Sequence, residues 1–94
     1  MEDQTMRAVI TVVGKDRTGI IATISDALYK FNVNILDISQ NVMDDMFAMV
    51  MFVDISKSTV EFDKLTNAME AVSIELGMKI HCMHEDIFNA MHRI

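Results

Sequence analysis

The chain is organised by residues 12–21, which read Val-Val-Gly-Lys-Asp-Arg-Thr-Gly-Ile-Ile. An apolar strand segment ends at Gly14, a short polar loop follows, and an apolar helical stripe begins at Ile20. Gly19 lets the backbone approach whatever lies above the turn, and the first N–H groups of a helix have no intrahelical partners. Such donors suit a small carboxylate, so this loop is the strongest candidate for a binding site. Thr18 is expected to cap the helix.

The composition predicts one small globular domain, because 51% of the 94 residues are hydrophobic and 23% are charged. The formal net charge of −6 disfavours nucleic-acid and anionic-membrane partners. Cys82 is the single cysteine and cannot form an internal disulfide, and the N-terminus lacks the order of a secretion signal. The longest apolar run, 47–53, is far shorter than the roughly 20 residues that span a bilayer. We therefore expect a cytoplasmic protein.

The first half of the chain changes from strand to helix and back to strand. Residues 6–13 are rich in β-branched side chains and predict an interior strand, and the spacing from Ile20 to Phe31 predicts a helix. Alternation over 35–42 predicts an edge strand with one polar face, in which Ile38, Gln40 and Val42 lie opposite Asp37, Ser39 and Asn41. A hairpin turn at 43–46 then leads into the most apolar strand, 47–54.

The second half of the chain predicts a helix, a strand and a short closing helix. Ser58 and Glu61 have the spacing of a capping box before a helix whose stripe runs from Phe62 to Leu76, and Gly77 stands at the stop position. Residues 78–84 predict a fourth strand, and 86–94 a short closing helix. The order predicts an α+β, ferredoxin-like βαββαβ sandwich: a four-stranded antiparallel sheet, two helices on one face, and the first and third strands in the middle.

The strand 47–54 is apolar on both faces, whereas two helices can cover only one face of a sheet. Soluble monomers rarely expose apolar patches of more than a few hundred Å². Two covers are open: the closing helix, through Ile87, Phe88, Met91 and Ile94, or a second copy of the chain, stacked or edge to edge. We expect both to act together, and therefore a homodimer.

Other candidate sites favour structural interpretations. In a strand at 81–84, Cys82 and His84 share a face and His81 points the other way, so one chain offers two ligands where a closed zinc site needs four. The methionines of 47–54 are typical of side chains that fill a core. Asp44 and Asp45 are typical of a solvated turn. No serine stands in a recognisable nucleophile motif, and no metal or cofactor is expected. The loop at 14–20 itself has a plain strand-to-helix turn as its alternative.

Residues 16–21, the helical stripe behind them, and Asn32-Val33-Asn34-Ile35 together resemble the ACT domain, a small-molecule-sensing module of amino-acid metabolism. The resemblance covers residues 6 to about 84. With the closing helix at 86–94, the chain as a whole (1–94) resembles small standalone single-ACT proteins of microbes. The resemblance implies a βαββαβ sandwich and pairing of domains. It also implies an effector that is bound at the domain interface by the first strand–helix loop and the start of the second strand.

The resemblance also implies site residues. In amino-acid-binding members, side chains at the positions of Asp16 and Asn34, with backbone around Gly19, hold the effector. This chain has Gly14 where serine-sensing members carry a histidine, Asp16 in place of an amide, and Thr18 in place of the usual proline. Asp16 would attract an ammonium group and repel a carboxylate.

The sequence therefore predicts a non-enzymatic regulatory module that binds an amino acid or similar effector as a homodimer and acts in trans on a partner enzyme or regulator. The expected ligand-binding residues are Asp16, Arg17, Thr18, Gly19, Ile20 and Asn34. The alternative is a protein-interaction or scaffold module with a vestigial pocket, which would use the second, apolar face of the sheet.

Overall fold

The computed structural model describes residues 6–91, and their strands and helices follow the order βαββαβα. The elements are β1 (Arg7–Lys15), α1 (Ile20–Lys30), β2 (Asn34–Met43), β3 (Met46–Asp54), α2 (Phe62–Leu76), β4 (Lys79–His84) and α3 (Glu85–Met91). The four strands form one antiparallel sheet in the order β2-β3-β1-β4. This arrangement confirms the predicted fold, including the central position of β1 and β3.

Alternate residues of the two central strands build the core, because every second side chain points toward the helices. In β3 the side chains of Phe47, Met49, Met51 and Val53 are buried in this way. They meet one buried stripe from each helix. The stripes are Ile20, Ile24 and Leu28 in α1, and Leu65, Met69, Val72 and Leu76 in α2.

The starts of both long helices differ from the prediction. The N-cap residue of α1 is Gly19, with φ 91° and ψ 5°, and no side chain caps it, so the prediction that Thr18 is the cap was wrong. The prediction of a capping box formed by Ser58 and Glu61 was wrong as well, because no side chain caps α2. Glu61 is the N-cap residue of α2, and the Ser58 hydroxyl instead donates to the Val60 carbonyl at 2.8 Å. Gly77 ends α2 in the left-handed region, as predicted (φ 67°).

The face of the sheet opposite α1 and α2 is partly covered by α3. Phe88 packs edge-on against Phe52, with ring centroids 6.0 Å apart, beside the fully buried Val9. Ile87 and Met91 were also expected to lie under the sheet, but they are 52% and 64% exposed. The predicted helix residues 92–94, Ile94 among them, lie outside the described residues.

The edge strand β2 is the most exposed strand of the sheet. Every residue from Leu36 to Met43 is exposed, on both faces of the strand. The predicted alternation is confirmed by the register, since Ile38 lies opposite the buried Met51 and Ser39 opposite Val50. Within residues 6–91, no helix combines the length and the apolar character that crossing a membrane would require.

Candidate functional site

The loop between β1 and α1 is held against the β2–β3 hairpin. The N–H of Asp16 donates to the carbonyl oxygen of Asp45 at 2.7 Å. The side chains of Asp16 and Thr18 are exposed, and a Cβ on Gly19 would meet only the Thr23 hydroxyl, 4.0 Å away. The surface above Gly19 is therefore open, and the N-terminus of α1 faces it.

Two of the predicted site residues have structural roles here. The Arg17 guanidinium donates to the carbonyl of Leu76 at 3.4 Å, which ties the loop to the C-terminal end of α2, where a cation is favoured. The side chain of Ile20 is buried in the core, with 3% exposure. Only the backbone of Ile20 is thus in a position to contact a ligand.

Gly14 lies within β1, which runs two residues further than predicted, to Lys15. A Cβ at Gly14 would lie 3.0 Å from both Cγ and Cε of Met78, whose side chain is buried. Met78 thus fills the space that a side chain at position 14 would need. Any side chain at position 14 would therefore require Met78 to shift.

Asn34 lies at the opposite end of the sheet from the loop. It starts β2 and pairs with Asp54, which in turn pairs with Arg7 at the start of β1. Because β1 and β2 run in the same direction, the loop after Lys15 lies beyond the other end of both strands. One protomer therefore does not bring Asp16 and Asn34 together.

Asn34 instead shares a concave polar pocket of about 330 Å³ with Asn32, Asp54 and Lys57. None of these three neighbours was among the site residues predicted from the sequence. The segment Asn32-Val33-Asn34 was a visible signal, but the pairing of Asn34 with Asp54 depends on a β-bulge between Ile35 and Asp37. Without that bulge, the hairpin register would place Ile35 opposite Asp54.

Asp54 has an electrostatic environment that favours its charged form. Hydrogen bonds from the backbone and side chain of Ser56, aided by the nearby charges of Lys57 and Arg7, lower its pKa below 3.8 against a smaller opposing effect of burial. The Ser56 N–H donates to Asp54 Oδ1 at 2.9 Å. The pocket therefore contains an ionised carboxylate, two carboxamides and an ammonium group.

The segment at 81–84 has the geometry that the strand alternation predicts. Cys82 lies opposite Ile10 on the helix side, and His81 lies opposite Thr11 on the other face. His84 stacks on Phe62 with ring centroids 4.1 Å apart, and burial raises the pKa of the Cys82 thiol to about 11. Within residues 6–91, no three His, Cys, Asp or Glu side chains are grouped so as to hold a metal ion.

The family model of the ACT domain matches residues 6–83, which include the open loop, the first three strands and β4 up to its last residue but one. The chain belongs to the ACT domain family. A UPF0237 protein of Methanocaldococcus jannaschii is 53% identical over 88 residues, covering 94% of this chain and 98% of that protein. A UPF0237 protein of Listeria innocua is 49% identical over 89 residues, covering 95% of this chain and all of that protein.

A solved structure supports the same assignment. An ACT domain protein from Streptococcus pneumoniae superposes with a TM-score of 0.77 at 42% sequence identity, covering 95% of this chain and 100% of that one. The ACT assignment thus rests on sequence and on three-dimensional fold together.

Proposed function

We propose that this ACT chain is a non-enzymatic sensor: a homodimer that binds an amino acid or similar zwitterion and acts in trans on a partner enzyme or regulator. ACT domains are regulatory and often bind amino acids. The observation that carries the proposal is the open surface above Gly19, which lies beside the hairpin end of an edge strand that is exposed along nearly its whole length.

The edge strand supplies the rest of the proposed site. Two β2 strands paired antiparallel about a two-fold axis between Ile38 and Ser39, the middle of the strand, would set the partner's Asn34 beside Met43 of the first protomer. Met43 lies at the loop end of the sheet, because Asp45 two residues later accepts the hydrogen bond from Asp16. The dimer thus joins two half-sites that one protomer keeps at opposite ends.

Each half-site has a chemical task. Backbone N–H groups at the start of α1 bind the effector's carboxylate, since an N-terminal helix end favours an anion. Asp16 attracts the ammonium group, and the carboxamide of Asn34 accepts and donates hydrogen bonds across the subunit seam.

The test is isothermal titration calorimetry and thermal shift with each of the 20 common amino acids. We expect at least one to bind and to raise the melting temperature. Asn34→Ala should weaken that binding about tenfold or more, because a hydrogen bond to a charged group contributes about 1.5–3 kcal/mol. Asn67→Ala removes an exposed carboxamide from α2 and is the matched control. No heat and no thermal shift with any amino acid would contradict the proposal.

The interaction-module alternative is supported by a different surface. Val13, Met43 and Met46 are exposed large apolar side chains that, by the register, lie on the sheet face away from α1 and α2. The Asn34→Ala variant separates the two functions. A sensor loses ligand-induced stabilisation with this change, whereas a scaffold with a vestigial pocket has none to lose and keeps its partner contacts.

A further inference from the structure

We infer that Asp54, rather than the exposed Asp16, is the residue that contacts the effector's amino group, in the polar pocket that Asp54 shares with Asn34. The inference rests on the proposed function and extends it, because it adds a recognition residue at the end of β3 to a site predicted from the loop and from β2.

The pocket has the size and walls of a small-molecule subsite. Its volume of about 330 Å³ falls within the range of about 300–1,000 Å³ that is usual for such sites. All four lining residues, Asn32, Asn34, Asp54 and Lys57, carry hydrogen-bonding side chains. A small zwitterion is the ligand class that such walls match, because each of its charged ends needs hydrogen-bonding partners when it leaves water.

The Asp54 carboxylate is fixed in place yet retains acceptor capacity. Oδ1 accepts the Ser56 N–H at 2.9 Å, which holds the carboxylate above the turn after β3. A carboxylate has about four acceptor sites, so the hydrogen bonds from the backbone and side chain of Ser56 still leave room for an ammonium group. Asn32 steadies the other wall, since its Nδ2 donates to the Lys57 carbonyl oxygen at 3.0 Å.

Among the described residues, neither of the two cations near Asp54, Arg7 and Lys57, forms an ion pair with it. Arg7, next to it in the sheet, forms an ion pair with Glu85 at 3.7 Å. Lys57 is exposed and acts on Asp54 through space. Asp54 and Lys57 share one pocket, so the Asp54 carboxylate can bind the ammonium group of a zwitterion while the Lys57 ammonium group attracts its carboxylate. In the proposed dimer, the N-terminus of α1 from the other protomer also binds the effector's carboxylate.

The experiment compares an amino acid with the 2-hydroxy acid that carries the same side chain. This pair differs only in the replacement of the ammonium group by a hydroxyl. The probe is the amino acid with the largest thermal shift among the 20 common ones, and titration calorimetry gives both affinities for the wild type, Asp54→Asn and Glu70→Gln. Asparagine keeps an oxygen that can accept the Ser56 N–H, and Glu70→Gln removes the same charge from an exposed position on α2.

We expect the wild type and Glu70→Gln to prefer the amino acid by about tenfold or more, and Asp54→Asn to lose that preference while its affinity for the hydroxy acid is unchanged. If Asp54 only stabilised the turn, Asp54→Asn would lower the affinity for the amino acid and for the hydroxy acid by the same factor. Either a preserved preference in Asp54→Asn or equal affinities in the wild type would overturn the assignment of Asp54 and leave the proposed function standing. A wild type that binds no amino acid would overturn both.

Discussion

Gly14 shows how one missing side chain shapes the site. Its place in β1 is extended rather than left-handed, so backbone conformation does not require glycine there. The requirement comes from Met78, whose Cβ, Cγ and Cε would lie 3.0–3.1 Å from a Cβ at position 14. Packing on the helix side of the sheet, and not the turn that follows, therefore explains the glycine.

We predict that Gly14→Val lowers the free energy of unfolding by about 1–3 kcal/mol, the usual cost of forcing extra atoms into a packed core. Urea denaturation measures this change. In a background of Met78→Ala, the same substitution should cost less, because Cγ and Cε are gone and only Cβ of residue 78 remains in contact. A double-mutant cycle measures the coupling. Equal costs in both backgrounds would show that Met78 is not the reason for the glycine.

The short helix α3 is the element whose role the sequence described least well. Four of its residues were expected to face the sheet, but of those described only Phe88 packs on Phe52, while Ile87 and Met91 remain half-exposed or more. Besides the partly exposed ion pair of Glu85 with Arg7, we therefore expect the Phe88 ring to contribute most of the packing that holds α3 on the sheet. The aromatic contact also covers Val9, which lies opposite Phe52 in the register.

Phe88→Ala is therefore expected to destabilise the protein by about 1–3 kcal/mol, less than the 3–5 kcal/mol typical of a deeply buried phenylalanine, since Phe88 is only partly buried. Thermal and urea unfolding measure the loss. Ile87→Ala, one residue away on the exposed side of the same helix, should change stability by less than about 0.5 kcal/mol. Similar losses in the two variants would mean that α3 is not anchored by this ring.

At the scale of the whole molecule, the exposed strand β2 is the feature that a second copy would cover. A long edge strand with exposed apolar side chains is prone to pair with another chain unless charges or bulges protect it. Ile38 and Val42 are 39% and 46% exposed, although the register places them on the helix side of the sheet, opposite the buried Met51 and Phe47. The bulge near Leu36 affects only the first residues of the strand.

We predict that the wild type sediments as a dimer at micromolar concentration and that Ile38→Lys shifts it toward a species of 10.7 kDa, because a charged side chain in the middle of β2 opposes edge-to-edge pairing. Ile74→Lys is the control. Ile74 is 78% exposed on α2, so the same substitution there should leave the dimer intact. A wild type that sediments only at 10.7 kDa would contradict both the dimer and the site at its seam.

The amino-acid sequence alone determined the element order, the antiparallel sheet with β1 and β3 inside, and the glycine stop at Gly77. These features follow from local periodicity and turn chemistry, which act over a few residues. The tertiary structure decided what local patterns do not encode. A bulge of one residue placed Asn34 opposite Asp54. Met78, which is 64 positions after Gly14, filled the space beside that glycine. Asp16 and Asn34 lie at opposite ends of the sheet because β1 and β2, on either side of β3, run in the same direction. Each of these depends on contacts between segments far apart in the chain, where a shift of one residue changes which side chains meet.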